Sequence, residues 1–513
     1  MQHREGKHVL SHAAIYLLAR GLPGVIAFLT IPLFTRLLAP EEYGRYALVL
    51  ATVMLFNALL FQWLRLSMVR FLPACKDDPA QLKSALLTSS VLMLLALLPL
   101  ALVAYFLPFA RQWRPVIFPC WVMLALQSMF ELCNEYSRAI LRPWQYMGLQ
   151  VARSGSILLV GIAMVKFGAG WASPLIGMGV GMAAGVAYAY RRDWLDARLT
   201  IDRALLIKLC QYGIPLSLTV ALSMVISSSD RFLIAGFKGD AAAGLYSVAV
   251  DFTSQTLTLL MLVINLAMFP IAVRAWENHG RQAAQDAMKS NASLLMAVGM
   301  PCVVGLSAIA PGIAHCFLGK DYRQAAAGII PLIALGTFVA GLKAYHFDAA
   351  FQFVHRTIYQ VWIVLFAAIV NVGLNLVAIP RWGINGAAAA SLLAFIVSIA
   401  LTAAVGRRHF ALPFPLTSCL QVGLASAAMA AVLLPFRDRV GPLAVALQIT
   451  GGAAVYGGIL LAVNFLQLRE PLLKRLGITG ITEEAREHSD AGLAVGSTSS
   501  PSSISAAAAL LEV

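Results

Sequence analysis

Apolar stretches of about 20 residues recur along this chain from Val9 to Gln467, and a helix of that length crosses the hydrocarbon core of a bilayer. Only 12% of the residues are charged, against roughly 25% in a soluble domain, so there is too little polar surface for the chain to sit in water. The expected fold class is an all-α polytopic membrane protein. Dividing the apolar runs at charges and at Gly or Pro gives about 14 spans. They lie near 9–37, 43–71, 83–107, 115–137, 147–167, 170–190, 212–237, 244–272, 290–317, 327–352, 357–380, 384–406, 416–436 and 440–467. The first stretch is basic at Arg4 and Lys7 and has no small-residue cleavage site behind a short apolar core, the pattern of a retained anchor rather than a signal peptide.

The middle of the chain nearly repeats its beginning. Gly21-Leu22-Pro23 returns as Gly213-Ile214-Pro215, Thr35-Arg36-Leu37-Leu38 as Asp230-Arg231-Phe232-Leu233, and Gly44-Arg45-Tyr46 as Gly244-Leu245-Tyr246. A further match sets Phe167 to Ala172 against Trp382 to Ala387. The copies are about 192 to 215 residues apart, the signature of a transporter built from internal repeats. One six-helix unit used twice runs in the same direction both times, so the two bundles are expected to be related by a pseudo-two-fold axis along the membrane normal. The expected organisation is an N-terminal bundle at 1–190, a cytoplasmic linker at 191–211, a second bundle at 212–408, an added helix pair at 409–470 and a disordered tail at 471–513. Within the linker, Asp202 is placed to cap a short surface helix through Ala204 to Leu209.

The formal charge of +14 does not mark a nucleic-acid binder, because the basic residues sit in short connections rather than on one soluble module. Connections carrying Arg191, Arg192, Arg198, Arg274, Arg407 and Arg408 belong to a set about twice as basic as the set carrying Arg45, Arg114, Lys166, Lys238, Lys320 and Arg437. The richer set should be cytoplasmic, and both termini with it. The seven cysteines have no metal-ligand or redox spacing. No nucleophile elbow, phosphate-binding loop or metal triad is present, so neither an enzyme nor a cofactor is expected.

The stretch Ile31 to Ala47, with Pro40-Glu41-Glu42-Tyr43-Gly44 at its centre, and the block Ser229 to Gly236 leading to Gly244-Leu245-Tyr246 resemble the Wzx-type polysaccharide flippases of the multidrug/oligosaccharidyl-lipid/polysaccharide exporter superfamily. The resemblance covers about residues 8 to 470. It implies an undecaprenyl-pyrophosphate-linked oligosaccharide, moved from the cytoplasmic to the periplasmic leaflet of a bacterial inner membrane for O-antigen, capsule or exopolysaccharide synthesis. The implied partners are that lipid, the bilayer, and polysaccharide polymerase and export machinery. Competing readings are a cation-coupled drug exporter or a lipid II flippase of the same superfamily. A membrane-bound glycosyltransferase would need longer loops than these.

A charge at bilayer depth costs roughly 2.5–3.5 kcal/mol on insertion scales, so retained charges should face protein, water or substrate. They are Arg20, Arg65, Glu131, Glu135, Arg153, Asp230, Arg231, Asp251, Lys343, His346 and Asp348. Arg20, Arg231 and Lys343, with Arg65 and Arg153, are the expected cavity cations for a pyrophosphate, which a guanidinium fork holds bidentately. Asp230 and Asp251 lead the candidates for proton or cation coupling, followed by Asp348 and Glu131. If Arg231 faces Asp251, a structural salt bridge is the simpler account of both. Gly21, Pro23, Gly213 and Pro215 are the expected hinge, because a proline frees a carbonyl and lets a helix bend.

Overall fold

The apolar runs become helices because a bilayer offers the backbone no other hydrogen-bond partner. The computed structural model describes residues 21–75, 79–106, 114–200, 202–354 and 356–465. Arg20, the start of the first span and the expected tail at 471–513 lie outside the described residues. The described residues are helical with short connections. Among them, eleven helices are long and apolar enough to cross a membrane, and Gly21–Leu37 is a shorter apolar one.

In chain order α1 is Gly21–Leu37, α2 Pro40–Cys75, α3 Ala80–Phe106, α4 Arg114–Ala139, α5 Pro143–Lys166, α6 Gly170–Trp194 and α7 Arg203–Lys238. The helix Asp240–Ala308 breaks at Gly280, and Ile358–His409 breaks at Gly383. These glycines have φ of 79° and 57°, in the left-handed region that costs glycine nothing. Four of the expected spans therefore lie on the two sides of two breaks: α8 (240–279) and α9 (281–308), then α12 (358–382) and α13 (384–409). Between them come α10, Ala310–Phe317, and α11, Lys320–Phe353. The chain closes with α14, Leu416–Phe436, and α15, Pro442–Ala462.

One sequence expectation meets a different backbone. Asp202 does cap a helix, accepting the Leu205 N–H at 3.0 Å, but that helix does not stop at Leu209. It continues as α7 through Pro215 to Lys238. Gly213 does not end the helix, and Leu209 is buried in the core of the first bundle, with its carbonyl accepting the Ser67 hydroxyl at 2.8 Å. The breaks in the long helices fall at Gly280 and Gly383, inside the connections expected between spans, and α7 continues through Pro215. The connection before α7 is strapped to α3: the N–H groups of Arg198 and Thr200 donate to Ser84 and Thr88, and Lys83 pairs with Asp196 at 2.5 Å.

One core holds α2 to α6 and the start of α7, while another joins residues of both halves, among them Phe34, Tyr43, Tyr246, Ala310 and Ile330. At that shared core α2 and α8 cross with no room to spare. A Cβ on Gly44 would lie 1.9 Å from the Asp240 carbonyl oxygen, and a Cβ on Gly244 would lie 1.9 Å from that of Pro40. Each glycine meets the residue four before the other, so the contact is reciprocal, as two copies of one motif facing each other require.

Candidate functional site

Three clusters of membrane charge emerge, and each is set by where helices bring side chains of opposite sign. In the first bundle, α2 contains a π-helical turn at Asn57–Phe61, a device that shifts the register of the side chains following it. Arg65, one turn on, donates from Nη1 to Glu131 Oε2 of α4 at 2.9 Å and from Nη2 to Gln62. Glu131 also receives Gln127 Nε2 at 2.9 Å, and Arg153 Nη1 of α5 stands 3.5 Å from its other oxygen. The Arg153 guanidinium lies 5.4 Å from the centre of the Phe130 ring. Two guanidiniums thus share one carboxylate, which leaves one positive charge in excess. Arg65 Nε is buried without an acceptor among the described residues. Glu135 takes no part; it pairs with Arg138 near the end of α4.

Where α2 crosses α8, the charges form a latch instead. Arg231 donates to Asp251 at 2.5 Å, and the Tyr43 hydroxyl donates to the other Asp251 oxygen at 3.3 Å. Arg45 bridges Glu41 at 2.7 Å and Asp240 at 3.1 Å. The end of α1 is fastened to the turn between α10 and α11. Arg36 donates to the Cys316 carbonyl, the Gly319 N–H to Thr35 Oγ1, and the Tyr322 hydroxyl to the Leu38 carbonyl, at 2.8 to 3.1 Å. Two of the expected site residues, Arg231 and Asp251, are therefore partners of each other. Because Arg231 lies one residue beyond Asp230 on α7, the two side chains diverge by roughly 100°, and only Arg231 reaches the latch.

Asp230 sits inside the second bundle, 3% exposed. It accepts the Tyr246 hydroxyl of α8 at 2.6 Å, Asn375 Nδ2 of α12 at 2.6 Å and the Ser391 hydroxyl of α13 at 2.5 Å. Asn371 extends the network, donating to Ser391 at 3.1 Å and accepting from Ser229 at 2.9 Å. The Asn375 carbonyl oxygen is buried without a donor among the described residues. At the far end of α11, a second π-helical turn at Lys343–Phe347 carries Lys343, whose ammonium donates to both Asp348 oxygens at 2.9 Å, beside the buried His346.

Sequence inspection for charges missed Asn371, Asn375, Ser391 and Tyr246. The available signal was the Asn371/Asn375 pair, four residues apart on one helical face of an otherwise apolar run. Of the expected cavity cations, Arg65 and Arg153 meet at one carboxylate, Arg231 and Lys343 are each occupied by an aspartate, and Arg20 lies outside the described residues. No group of three or more His, Cys, Asp or Glu able to hold a metal occurs among the described residues.

A family model described as polysaccharide biosynthesis protein matches residues 9–276. No curated protein matches the chain. Among solved structures, the lipid II flippase MurJ in an inward closed conformation superposes with a TM-score of 0.69 at 15% identity, over 88% of this chain and 99% of that one. An inward-facing multidrug resistance MATE family transporter of the MOP superfamily gives 0.56 at 15% identity, over 77% and 94%. MATE in its straight conformation gives 0.53 at 15% identity, over 78% and 96%. The chain shares the helical fold of these transporters.

Proposed function

The chain belongs to the polysaccharide biosynthesis protein family, and from that premise we propose that it is a flippase for an undecaprenyl-pyrophosphate-linked oligosaccharide. It carries that lipid from the cytoplasmic to the periplasmic leaflet of a bacterial inner membrane by alternating access of its two bundles. The observation that carries this reading is the Arg65–Glu131–Arg153 cluster, where an intramembrane site holds one more guanidinium than carboxylate. A pyrophosphate replaces the missing anion. Arg153, held by the longer contact of 3.5 Å, is the fork best placed to turn toward it, and each charge-assisted hydrogen bond contributes on the order of 1.5–3 kcal/mol. The glycan follows in the space between the bundles, and the prenyl chain stays in lipid.

Of the four acids considered for coupling, Glu131, Asp251 and Asp348 each answer a cation. Asp230 has no ion-pair partner among the described residues and is the coupling carboxylate. With the cytoplasm negative, the membrane potential alone favours outward movement of an anionic headgroup by about 2.3 kcal/mol per charge per 100 mV. The basic connections place the Lys343 end of α11 in the cytoplasm and the Arg45–Asp240 latch toward the periplasm. Reporter fusions at Trp276 and Arg408 should then read as cytoplasmic, and those at Arg114, Lys320 and Arg437 as periplasmic.

Deleting the gene and identifying the lipid that accumulates tests the substrate class. A prenyl-pyrophosphate oligosaccharide is the expected product. Accumulation of lipid II would support the peptidoglycan reading, and sensitivity to cationic drugs without any lipid intermediate would support an exporter.

A further inference from the structure

A cavity of about 300 Å³ is lined by α7, α8, α11 and α13 of the second bundle. It begins at Asp230, Tyr246 and Ser391 and ends at Ala344 and Tyr345. Along α8 its wall is Tyr246, Val250, Ser254, Thr258 and then Met261, a spacing that keeps all five on one helical face. At 1.5 Å per residue that face is about 22 Å long. The opposite wall on α11 runs from Leu332 and Ile333 to Tyr345, with the small residues Gly336, Ala340 and Gly341 between them leaving space. The Ser254 and Thr337 hydroxyls meet across it at 3.4 Å. Asp230 is the charged residue among those lining the cavity, and its other polar groups there are hydroxyls, whose lone pairs can replace part of a cation's hydration shell.

Toward the end away from Asp230, Met261 of α8 meets Gly341 of α11. A Cβ at Gly341 would stand 2.5 Å from the Met261 Sδ and 2.7 Å from its Cε, so the methionine side chain packs directly on the glycine. Methionine is unbranched and changes rotamer readily, which suits a plug that can swing aside. Just outside it, the π-helical turn holds Lys343, and Asp348 binds its ammonium with both oxygens. Without that aspartate the lysine would repel any cation at the mouth.

We propose that this lumen is the route by which a small monovalent cation passes between Asp230 and the Lys343 end of the molecule, with Met261, packed on Gly341, as its gate. The inference rests on the reading of Asp230 as the coupling carboxylate. The lipid-linked substrate and the coupling ion then travel separate paths: the headgroup between the bundles, the ion within one of them. The lumen ends on a carboxylate, so it selects by sign.

Thiol chemistry on the full-length chain in inside-out membrane vesicles tests the route. Ser254→Cys and Thr337→Cys place reporters on the file, with Thr258→Cys as a third should either fail to insert. Ser398→Cys, buried in α13 outside the cavity, is the control, and the native cysteines set the baseline. The ethylammonium methanethiosulfonate reagent should modify the lumen positions at least about tenfold faster than the control, and faster than the ethylsulfonate reagent, because a cleft of one sign concentrates its counter-ion. Met261→Ala should raise the rate further, and Asp230→Asn should erase the preference for the cation. Lumen cysteines as inert as Ser398→Cys even with Met261→Ala, or labelled only in right-side-out vesicles, would overturn the route. Polysaccharide export by Asp230→Asn separates the two ideas. Normal export removes the coupling role itself, whereas lost export with inert lumen cysteines removes only the route.

Discussion

The described interior of the first bundle holds Arg65 and Arg153 against the single carboxylate of Glu131, whereas that of the second holds two closed pairs, Arg231–Asp251 and Lys343–Asp348, and then Asp230 alone. One half is left a cation in excess and the other an anion. An unpaired charge in a low-dielectric site is costly unless something else answers it, and the two excesses ask for opposite ligands. The guanidiniums suit an anionic headgroup, and the hydroxyl- and amide-bound carboxylate suits a small cation. In the proposed mechanism the first half holds the cargo and the second the driving ion.

The largest effect is expected at the anion. Asp230→Asn keeps the size and most hydrogen bonds but removes the charge, and surface polysaccharide should fall to near the level of a gene deletion while the protein stays in the membrane. Asp251→Asn, by contrast, should act through the latch and lower the thermal stability of the purified protein. If the two variants behave alike, the second bundle has no distinct coupling residue.

At the cation site the effect should be smaller and graded. Arg153→Ala and Arg65→Ala each remove a phosphate partner worth on the order of 1.5–3 kcal/mol, so export should drop about tenfold or more, with partial rescue by Lys because the fork is lost. Glu131→Gln frees both guanidiniums and should tighten retention of inorganic pyrophosphate by the purified protein. Unchanged pyrophosphate binding in all three would remove this cluster from headgroup recognition.

The two halves also differ at their opening glycines. A Cβ on Gly213 would meet the Trp63 carbonyl oxygen and the Ser67 hydroxyl at 2.4 Å, while one on Gly21 would meet nothing within 4 Å among the described residues. The beginning of α7 is therefore locked to α2, while among the described residues nothing packs on its counterpart on α1. Gly213→Ala should destabilise the protein by about 1–3 kcal/mol through overpacking, seen as a lower melting temperature, and Gly21→Ala should leave it unchanged. Equal shifts would mean that both copies are packed in the state that dominates in solution.

How much of this could be read from the letters follows from the cost of burying each group. Charges stand out in an apolar run, so Glu131, Asp230, Arg231 and Asp251 were all visible. Asn371, Asn375 and Ser391 were not, because an amide or hydroxyl is far cheaper to bury and a serine can bond its own helix. Partners were also hidden. Glu131 is 66 residues from Arg65, and only the packing of α4 against α2 brings them together. The Arg231–Asp251 pair could be suspected because its helices are consecutive. Helix breaks were legible for a local reason: Gly280 and Gly383 fall between expected spans and take a positive φ, which glycine accepts without strain, whereas Pro215 is absorbed within α7.

The smallest effect lies in the strap between the halves. The Leu205 N–H holds the Asp202 carboxyl below its ordinary range, helped by Gln81. Its folded pKa is depressed, so its contribution is present above the unfolded value and is lost as pH falls through the folded one. Asp202→Ala should therefore lower the melting temperature slightly near pH 7, with the difference from the parent protein vanishing in acid. A difference that grows in acid would contradict that assignment.

The central claim is that the chain moves a lipid-linked oligosaccharide between leaflets, and the leaflet position of that glycan tests it most directly. Right-side-out membrane vesicles with and without the chain are treated with a glycan-cleaving enzyme that cannot cross the membrane, and the surviving prenyl-linked glycan is measured. The glycan should be protected in vesicles lacking the chain, digested in those containing it, and protected again with Asp230→Asn or Arg153→Ala. Equal digestion with and without the chain would contradict translocation.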